Sequence, residues 1–521
     1  MSRFAAVILA AGKGTRMKSR FPKVTHAVGG RPMLEHVLRA ASDTVSQAND
    51  TGADSANDAE DHSPRYVVVV GHERERVQQA VTWTPPDGAL TYITQEPQLG
   101  TGDAVRTALA AWQVGPLPRT LLVLYGDTPL VRGETLSRLV REHTTREATL
   151  TLLTGHADRD TDYGRVLRDA SGRITGIVER KHATPEEVAI AEVNSGIYCF
   201  ESDWLLSRLD RLEPHENGEY YLTDLIAVAV GEGQPIATAS APLEETLGVN
   251  DRVHLAEAEA ILRRRVLESL MRSGVTVEDP ATTYVQPGVR VGPDTILRPG
   301  TRLTGVTVIG ERCEIGPHSV ICDSTIGDDC AVLASWVEEA TMLDGSSIGP
   351  MSHLRPGARL ETGARLGNYA EVKHATIGRD VQMHHFSYVG DATIGAGSNV
   401  GAGVITMNYD GREKHHTEVG ERVFLGSDTL LRAPISVGEG ASTGAGAVVT
   451  KDVPPGALVA GVPARVIRRV RSQRAEADEA VEADAERHPT EPTTETKQRS
   501  TQPAGTLPDK REGEGGSDSG G

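Results

Sequence analysis

In three runs between Val285 and Val437 an aliphatic residue returns every six positions. Val285, Val291, Leu297 and Leu303 form one run, Ile348, Leu354, Leu360, Leu366 and Val372 a second, and Val419, Leu425, Leu431 and Val437 a third. Glycine often follows, as in Val291-Gly292-Pro293, Ile394-Gly395-Ala396 and Val437-Gly438-Glu439. An α-helix repeats near 3.6 residues and a strand near 2, so neither explains a period of six. The hexapeptide pattern of a parallel β-helix does: each aliphatic fills the interior, and the small residue after it turns a corner. The pattern predicts a β-helix over residues 275–470.

The first half reads differently. Strand-like runs Ala5–Leu9, Tyr66–Val70 and Thr120–Tyr125 alternate with helix-like segments, which predicts an α/β domain over 1–250 with a largely parallel, Rossmann-like sheet. Ligands of such sheets bind beyond the carboxyl ends of the strands. The polar stretch Asp43–Ser63 reads as a flexible surface insertion. From Asp251 to Ser273 the residues Ala258, Leu262, Val266 and Leu270 recur every four positions, predicting an amphipathic helix before Gly274 that links the domains over 251–274. Its run Arg263-Arg264-Arg265 reads as a solvated face. Residues 471–521, poor in apolar types, read as a disordered tail.

Composition narrows the function. A net charge of −18 argues against a broad basic face for nucleic acid or anionic lipid, so a phosphate ligand must meet a local cluster of cations. No apolar run approaches the roughly 18–20 residues that span a bilayer. Cys199, Cys313, Cys322 and Cys330 form neither a disulfide framework nor a metal pattern and read as buried thiols of a reducing compartment. These features predict a soluble, unexported, cytoplasmic protein.

After the first strand comes Leu9-Ala10-Ala11-Gly12-Lys13-Gly14-Thr15-Arg16-Met17, then Phe21-Pro22-Lys23. The glycines let backbone N–H groups approach phosphate, and Arg16 and Lys23 add charge. This is neither a Walker A loop nor a dinucleotide fingerprint. Gln95, Leu99-Gly100-Thr101-Gly102 and Tyr125-Gly126-Asp127 follow. In that order the motifs resemble the sugar-1-phosphate nucleotidyltransferases, which join a sugar phosphate to a nucleoside triphosphate and release pyrophosphate. The resemblance implies a nucleotide–sugar site of Leu9, Ala10, Ala11, Gly12, Lys23, Gln95, Gly100, Thr101, Tyr125, Gly126 and Asp127, with Gly164, Glu179 and Asn194 at the sugar. Taken singly, those last three also read as a turn, a surface charge and a strand-end cap. Asp127 with Asn250 would hold Mg²⁺, and Arg16 and Lys23 would act as the catalytic cations. Asp103 stands where that family usually has histidine.

Polar residues interrupt the hexads within one stretch: Arg355, Lys373, His385, Tyr388, Asn399, Asn408 and Tyr409. The strings His353-Leu354-Arg355-Pro356-Gly357, Gly367-Asn368-Tyr369-Ala370-Glu371-Val372-Lys373, His385-Phe386-Ser387-Tyr388-Val389-Gly390-Asp391 and Met407-Asn408-Tyr409-Asp410-Gly411 resemble the acetyltransferase half of the bifunctional N-acetylglucosamine-1-phosphate uridylyltransferase/glucosamine-1-phosphate acetyltransferases. An amine attacking a thioester must lose a proton, and neutral imidazole suits that task, making His385 the candidate base. Arg355 and Lys373 would hold the sugar phosphate, and Tyr388 and Asn399 would orient the sugar. Asn408, Tyr409, Ser427 and Ala445 would face acetyl-CoA, with Lys414 on its phosphates. Val462 stands where that family commonly has an arginine, so that either Arg465 or Arg468 substitutes or coenzyme affinity falls. His384 immediately precedes the base, where relatives usually have a small residue.

The resemblance further implies a left-handed β-helix, a homotrimer with the acetyl site between subunits, and glucosamine 1-phosphate, N-acetylglucosamine 1-phosphate, UTP and acetyl-CoA as ligands in making UDP-N-acetylglucosamine for cell-wall precursors. The competing readings are a one-activity nucleotidyltransferase with a merely assembling β-helix, and a non-catalytic scaffold.

Overall fold

A computed structural model describes residues 4–50, 65–71, 73–86, 90–112, 117–157 and 161–469. The tail expected over 471–521 lies outside the described residues.

Strand Phe4–Ala10 is buried at every position because both of its faces are covered, which is why it reads as an unbroken apolar run. Ala6, Ile8 and Ala10 enter one apolar cluster with Leu34, Leu38, Leu136 and Leu139; Ala5, Val7 and Leu9 enter the opposite one with Val105, Leu205 and Leu209. The main sheet runs Ile236–Ala241, Leu150–His156, Glu192–Glu201, Thr120–Tyr125, Phe4–Ala10, Tyr66–Val70, Leu90–Thr94. The neighbours of Phe4–Ala10 are parallel to it, whereas Glu192–Glu201 runs antiparallel to both of its own neighbours. The three expected strands are present, and with Leu90–Thr94, parallel to Tyr66–Val70, they bring the loops after Ala10, Thr94 and Tyr125 to one edge. Gly126 N–H donates to Leu9 O at 2.9 Å there.

The expected insertion needs correction at its start. Helix Met33–Asp50 continues through Asp43, and Thr44 and Val45 are buried, the latter against the sheet. Residues 51–63 of that stretch lie outside the described residues. The linking helix is observed as Arg252–Arg272, with the Asp251 side chain accepting from the N–H groups of Val253 and His254. Its buried positions are Ala258 and Leu267 rather than the whole four-residue stripe. Ala258 packs with Val28, Met33, Leu130 and Val249, and Leu267 with the start of the β-helix. The arginine run is not a solvated face either. Arg265 bonds Glu244 at 2.9 Å and Leu130 O at 2.7 Å, Arg264 bonds Glu244 at 2.6 Å, and Arg263 lies 4.4 Å over the Tyr284 ring. The helix is therefore riveted to both of the elements it joins.

Beyond it the hexads form a parallel β-helix. Val285 pairs with Leu303, Val291 with Ile309 and Leu297 with Ile315, so one coil takes three hexads and presents three faces. The aliphatics stack in one continuous core, in which only Val291 of the predicted positions is partly exposed. Several later coils are one or two residues shorter, as where Ile309 pairs with Ile326 and Ile321 with Val337, and one is much longer: Ile394 pairs with Val419, and the added residues form an outward excursion between strands Ile405–Met407 and Thr417–Val419. The four thiols are free, and Cys322 is partly exposed, unlike the buried Cys199, Cys313 and Cys330. Leu354 is 0% exposed mid-stack, so Leu354→Ala should cost about 2–5 kcal/mol, read as a lowered denaturant midpoint for the β-helix transition.

Candidate active sites

At the sheet edge the signature loop stands open: a Cβ on Gly12 would meet nothing within 4 Å. Gly14 is a different case. Its φ is +59°, and a Cβ would lie 2.6 Å from Lys23 Cβ, so glycine is what lets the loop fold back onto Lys23. The Lys23 ammonium bridges two groups, forming an ion pair with Asp127 and donating to Asn250 Oδ1 at 2.9 Å. Arg16 reaches the same Asn250 oxygen at 3.2 Å. Asn250 is carried there because Val249 N–H donates to Asp127 O at 2.9 Å, just before the linking helix starts. Two hard oxygens thus converge on a single cation.

On the neighbouring loop Gln95 is 3% exposed and donates from Nε2 to Gly100 O at 3.0 Å and to Asp103 Oδ2 at 2.8 Å. Gly100 (φ +93°) must be glycine, since a Cβ would lie 2.6 Å from Tyr220 O. At the expected sugar end, Asn194 N–H donates to Gly164 O at 2.9 Å, and a Cβ on Gly164 would lie 3.7 Å from Glu179 Cδ, so these three residues do come together. The Asn194 amide itself is engaged with Tyr198 Oη at 2.8 Å. Beneath them Arg165, 1% exposed, donates to Thr161 O and Val188 O, each at 3.2 Å, and to Tyr163 O. Sequence reasoning missed this buried guanidinium that shapes the loop, and nothing in its local pattern announces it.

On the β-helix, register builds the second cluster. Leu354 pairs with Val372, so Arg355 and Lys373 follow in adjacent coils, and Lys373 pairs in turn with Gly390. Tyr388 uses the space left by Gly390, where a Cβ would lie 2.3 Å from its hydroxyl. Asn408 Nδ2 donates to Asp391 Oδ2 at 2.5 Å and lies 3.5 Å from Tyr388 Oη. Arg355 pairs with Glu371 at 2.8 Å. Lys414 and Arg355 crowd Lys373 and push its ammonium below the usual lysine range. Lys414, expected on the coenzyme phosphates, is brought by the excursion beside Lys373, expected on the sugar phosphate.

His385 sits exposed in the bend before strand Ser387–Ile394. The paired positions Gln382, Asn399, Phe424 and Ser442 each lie three residues before a corner, which aligns His385, Ala402, Ser427 and Ala445 in one column. Asn399 thus enters this corner one coil on, and Tyr388 leaves it. Arg465 is exposed and bonds only local carbonyls, Ala464 O at 2.9 Å and Pro463 O at 3.5 Å.

The comparisons agree with both halves. The family described as MobA-like NTP transferase domain matches residues 6–272. Along nearly the whole chain, the bifunctional protein GlmU of Corynebacterium glutamicum is 44% identical over 459 residues, covering 87% of this chain and 90% of the relative. That of Nocardia farcinica is 44% identical over 471 residues, 89% of this chain and 91% of the relative, and that of Exiguobacterium sibiricum 44% over 460 residues, 88% and 97%. The chain belongs to the GlmU family of bifunctional proteins. It is accordingly an enzyme with uridylyltransferase and acetyltransferase activity in UDP-N-acetylglucosamine synthesis, and its nucleotide transfer is of the divalent-metal-dependent kind. The one-activity and scaffold readings fall with that membership.

In this chain the motifs gave no role to several participants. Glu371 on Arg355, Asp391 on Asn408 and Ala402 in the His385 column come from positions with no unusual local pattern, and Asp103 on Gln95 stood out only as a departure from the family's histidine. The one readable signal was the lapse in the hexad period between Ile394 and Val419, which marks the excursion carrying Asn408, Tyr409 and Lys414. Among the described residues no group of three or more His, Cys, Asp or Glu could hold a metal. None of the described helices is long and apolar enough to cross a membrane.

Proposed function

We propose that the sheet-edge cluster transfers uridylyl from UTP to N-acetylglucosamine 1-phosphate and that the β-helix cluster first acetylates glucosamine 1-phosphate from acetyl-CoA. The observation that carries this division is that the two clusters share no residue and stand on different folds. In the first, a sugar phosphate oxygen attacks the α-phosphorus in line and pyrophosphate leaves. Arg16 and Lys23 neutralise the charge that develops, and the open loop Ala10–Gly12 offers N–H groups to the phosphates. Mg²⁺, when bound, adds to that neutralisation; Asp127 and Asn250 fit it, because their oxygens already meet on one cation, the Lys23 ammonium. Gln95, Gly100 and Thr101 read the uracil, Tyr125 and Gly126 line the nucleotide, and Gly164, Glu179 and Asn194 face the sugar.

In the second, the sugar amine attacks the thioester carbonyl carbon while His385 takes its proton, and the coenzyme leaves as the thiol. Arg355, Lys373 and Lys414 hold the 1-phosphate, Tyr388 and Asn399 orient the ring, and Asn408, Tyr409, Ser427, Ala445 and Arg465 face the coenzyme. The test is to measure both reactions on one preparation, thiol release from acetyl-CoA with glucosamine 1-phosphate and pyrophosphate release from UTP with the acetylated product. An absent thiol signal beside intact pyrophosphate release would refute the second assignment. The cytoplasm, where both co-substrates are made and the thiols stay reduced, is the proposed location.

We further propose a homotrimer. Met351, Tyr369 and Phe386, 60%, 64% and 56% exposed, follow Ile348, Leu366 and Met383 by three residues and so stack on successive coils beside the His385 corner. An exposed apolar column of this kind marks a protein interface. The double variant Met351→Asp/Tyr369→Asp should sediment as a monomer and lose acetyl transfer by about tenfold or more while uridylyl transfer holds within about twofold. A variant that stays trimeric, or a wild-type monomer with full acetyl transfer, would remove the subunit-boundary site.

A further inference from the structure

The Gln95 amide has one orientation it can hold. Its Nε2 donates to Gly100 O at 3.0 Å and to Asp103 Oδ2 at 2.8 Å, which uses both amide protons. Turning the amide over would set its oxygen against a carbonyl and a carboxylate, two acceptors facing a third, in a position only 3% exposed. The free function of Gln95 is therefore Oε1, an acceptor.

Asp103 is itself held. It lies in the first turn of helix Thr101–Leu109, and its Oδ1 pairs with Arg106 at 3.3 Å. Arg106 donates to Leu209 O at 2.8 Å and lies 5.0 Å over the Tyr220 ring. Tyr220 in turn brackets the same loop: its N–H donates to Leu99 O at 2.8 Å, and its carbonyl accepts from Gly102 N–H at 2.8 Å. Carboxylate, guanidinium and ring thus fix the amide to the segment expected to meet the base.

Uracil presents an N3–H donor between two carbonyls, whereas cytosine presents an unprotonated N3 acceptor and an amino group. An amide fixed as acceptor satisfies the first and opposes the second. We propose that Asp103 is a positioning residue that locks Gln95 as an acceptor and so sets the preference of the uridylyl site for a pyrimidine carrying N3–H over cytosine. This deepens the reading above and rests on Gln95 facing the base.

The experiment compares kcat and KM for UTP and CTP in the full-length enzyme, with acetyl transfer as the control for folding. In Asp103→Ala only Gly100 O still opposes the turned amide, so the lock is weakened and the UTP:CTP ratio of kcat/KM should fall about tenfold, through KM for UTP, with kcat held within about twofold. Asp103→Asn keeps an oxygen acceptor toward Nε2 and should restore most of the ratio. If Asp103→Ala does not fold, Asp103→Ser, too short to reach the amide, takes its place. UTP and CTP declining in parallel, or an unchanged ratio, overturns the lock. Gln95→Leu separates the two levels of the argument: an unchanged KM for UTP there sinks the base-facing reading, whereas a raised KM beside an unaltered ratio in Asp103→Ala sinks the lock alone.

Discussion

His385→Ala should lose acetyl transfer by about 10²–10⁴-fold and leave uridylyl transfer within about twofold, because only the first reaction needs a proton taken from an amine. The substrate amine is largely protonated near neutral pH, and thioester attack requires its lone pair. His385 is the imidazole at the corner where Asn399 enters and Tyr388 leaves, and the aligned Ala402, Ser427 and Ala445 leave that corner unobstructed by large side chains. Removing it deletes the proton acceptor but not the cations at Arg355 and Lys373, so KM for glucosamine 1-phosphate should hold while kcat falls. The residual rate should climb with pH as the amine deprotonates without help. Thiol release followed over a pH series reads both effects. A variant in which KM and kcat fail together, with uridylyl transfer also lost, would show that His385 supports the fold rather than the chemistry. His384 gives a neighbouring control: it is exposed, as His385 is, and its backbone carbonyl packs over Gly367, where a Cβ would lie 1.9 Å from it.

How much of this was legible follows from what a repeat encodes. The hexads specify which side chains go inside, and the core of the β-helix holds the aliphatics they pick out, from Leu297 to Val437. The same logic gave the strands Tyr66–Val70 and Thr120–Tyr125, whose complete burial leaves an unbroken apolar run. The candidate site residues were legible as motifs, and the fold brings Lys23, Asp127 and Asn250 into contact. Pairings between remote positions were not legible. Arg265 bonding Glu244 looks in sequence like any charged helix face, and Lys414 joins Lys373 only because an excursion of the coil turns back. Asp103 illustrates the limit best. In the sequence it is only a departure from the family's histidine; as a carboxylate 2.8 Å from a buried amide it decides which atom that amide presents.

Asp127→Ala is the reciprocal case, and its expected loss is larger than that of any other change at the sheet edge. Among the described residues Asp127 is the one carboxylate on the Lys23 ammonium, and its backbone carbonyl anchors Val249 and with it Asn250. The backbone bond survives truncation to alanine, so Asn250 should stay in place and the loss should report charge alone. Without the carboxylate, Lys23 and Arg16 keep only a neutral oxygen between them, and a divalent cation loses its anionic protein ligand. Uridylyl transfer should fall by about 10³-fold, on the scale seen when a group that stabilises developing charge is removed. Acetyl transfer should stay within about twofold, because no β-helix residue contributes to this cluster. A readout independent of turnover is available in Mn²⁺ paramagnetic resonance: wild-type protein with UTP should deplete the free-ion signal, and the variant should do so at least about tenfold less tightly. Equal Mn²⁺ binding by both proteins would place the metal ligand elsewhere, and the role of Asp127 would then reduce to holding Lys23 in the loop.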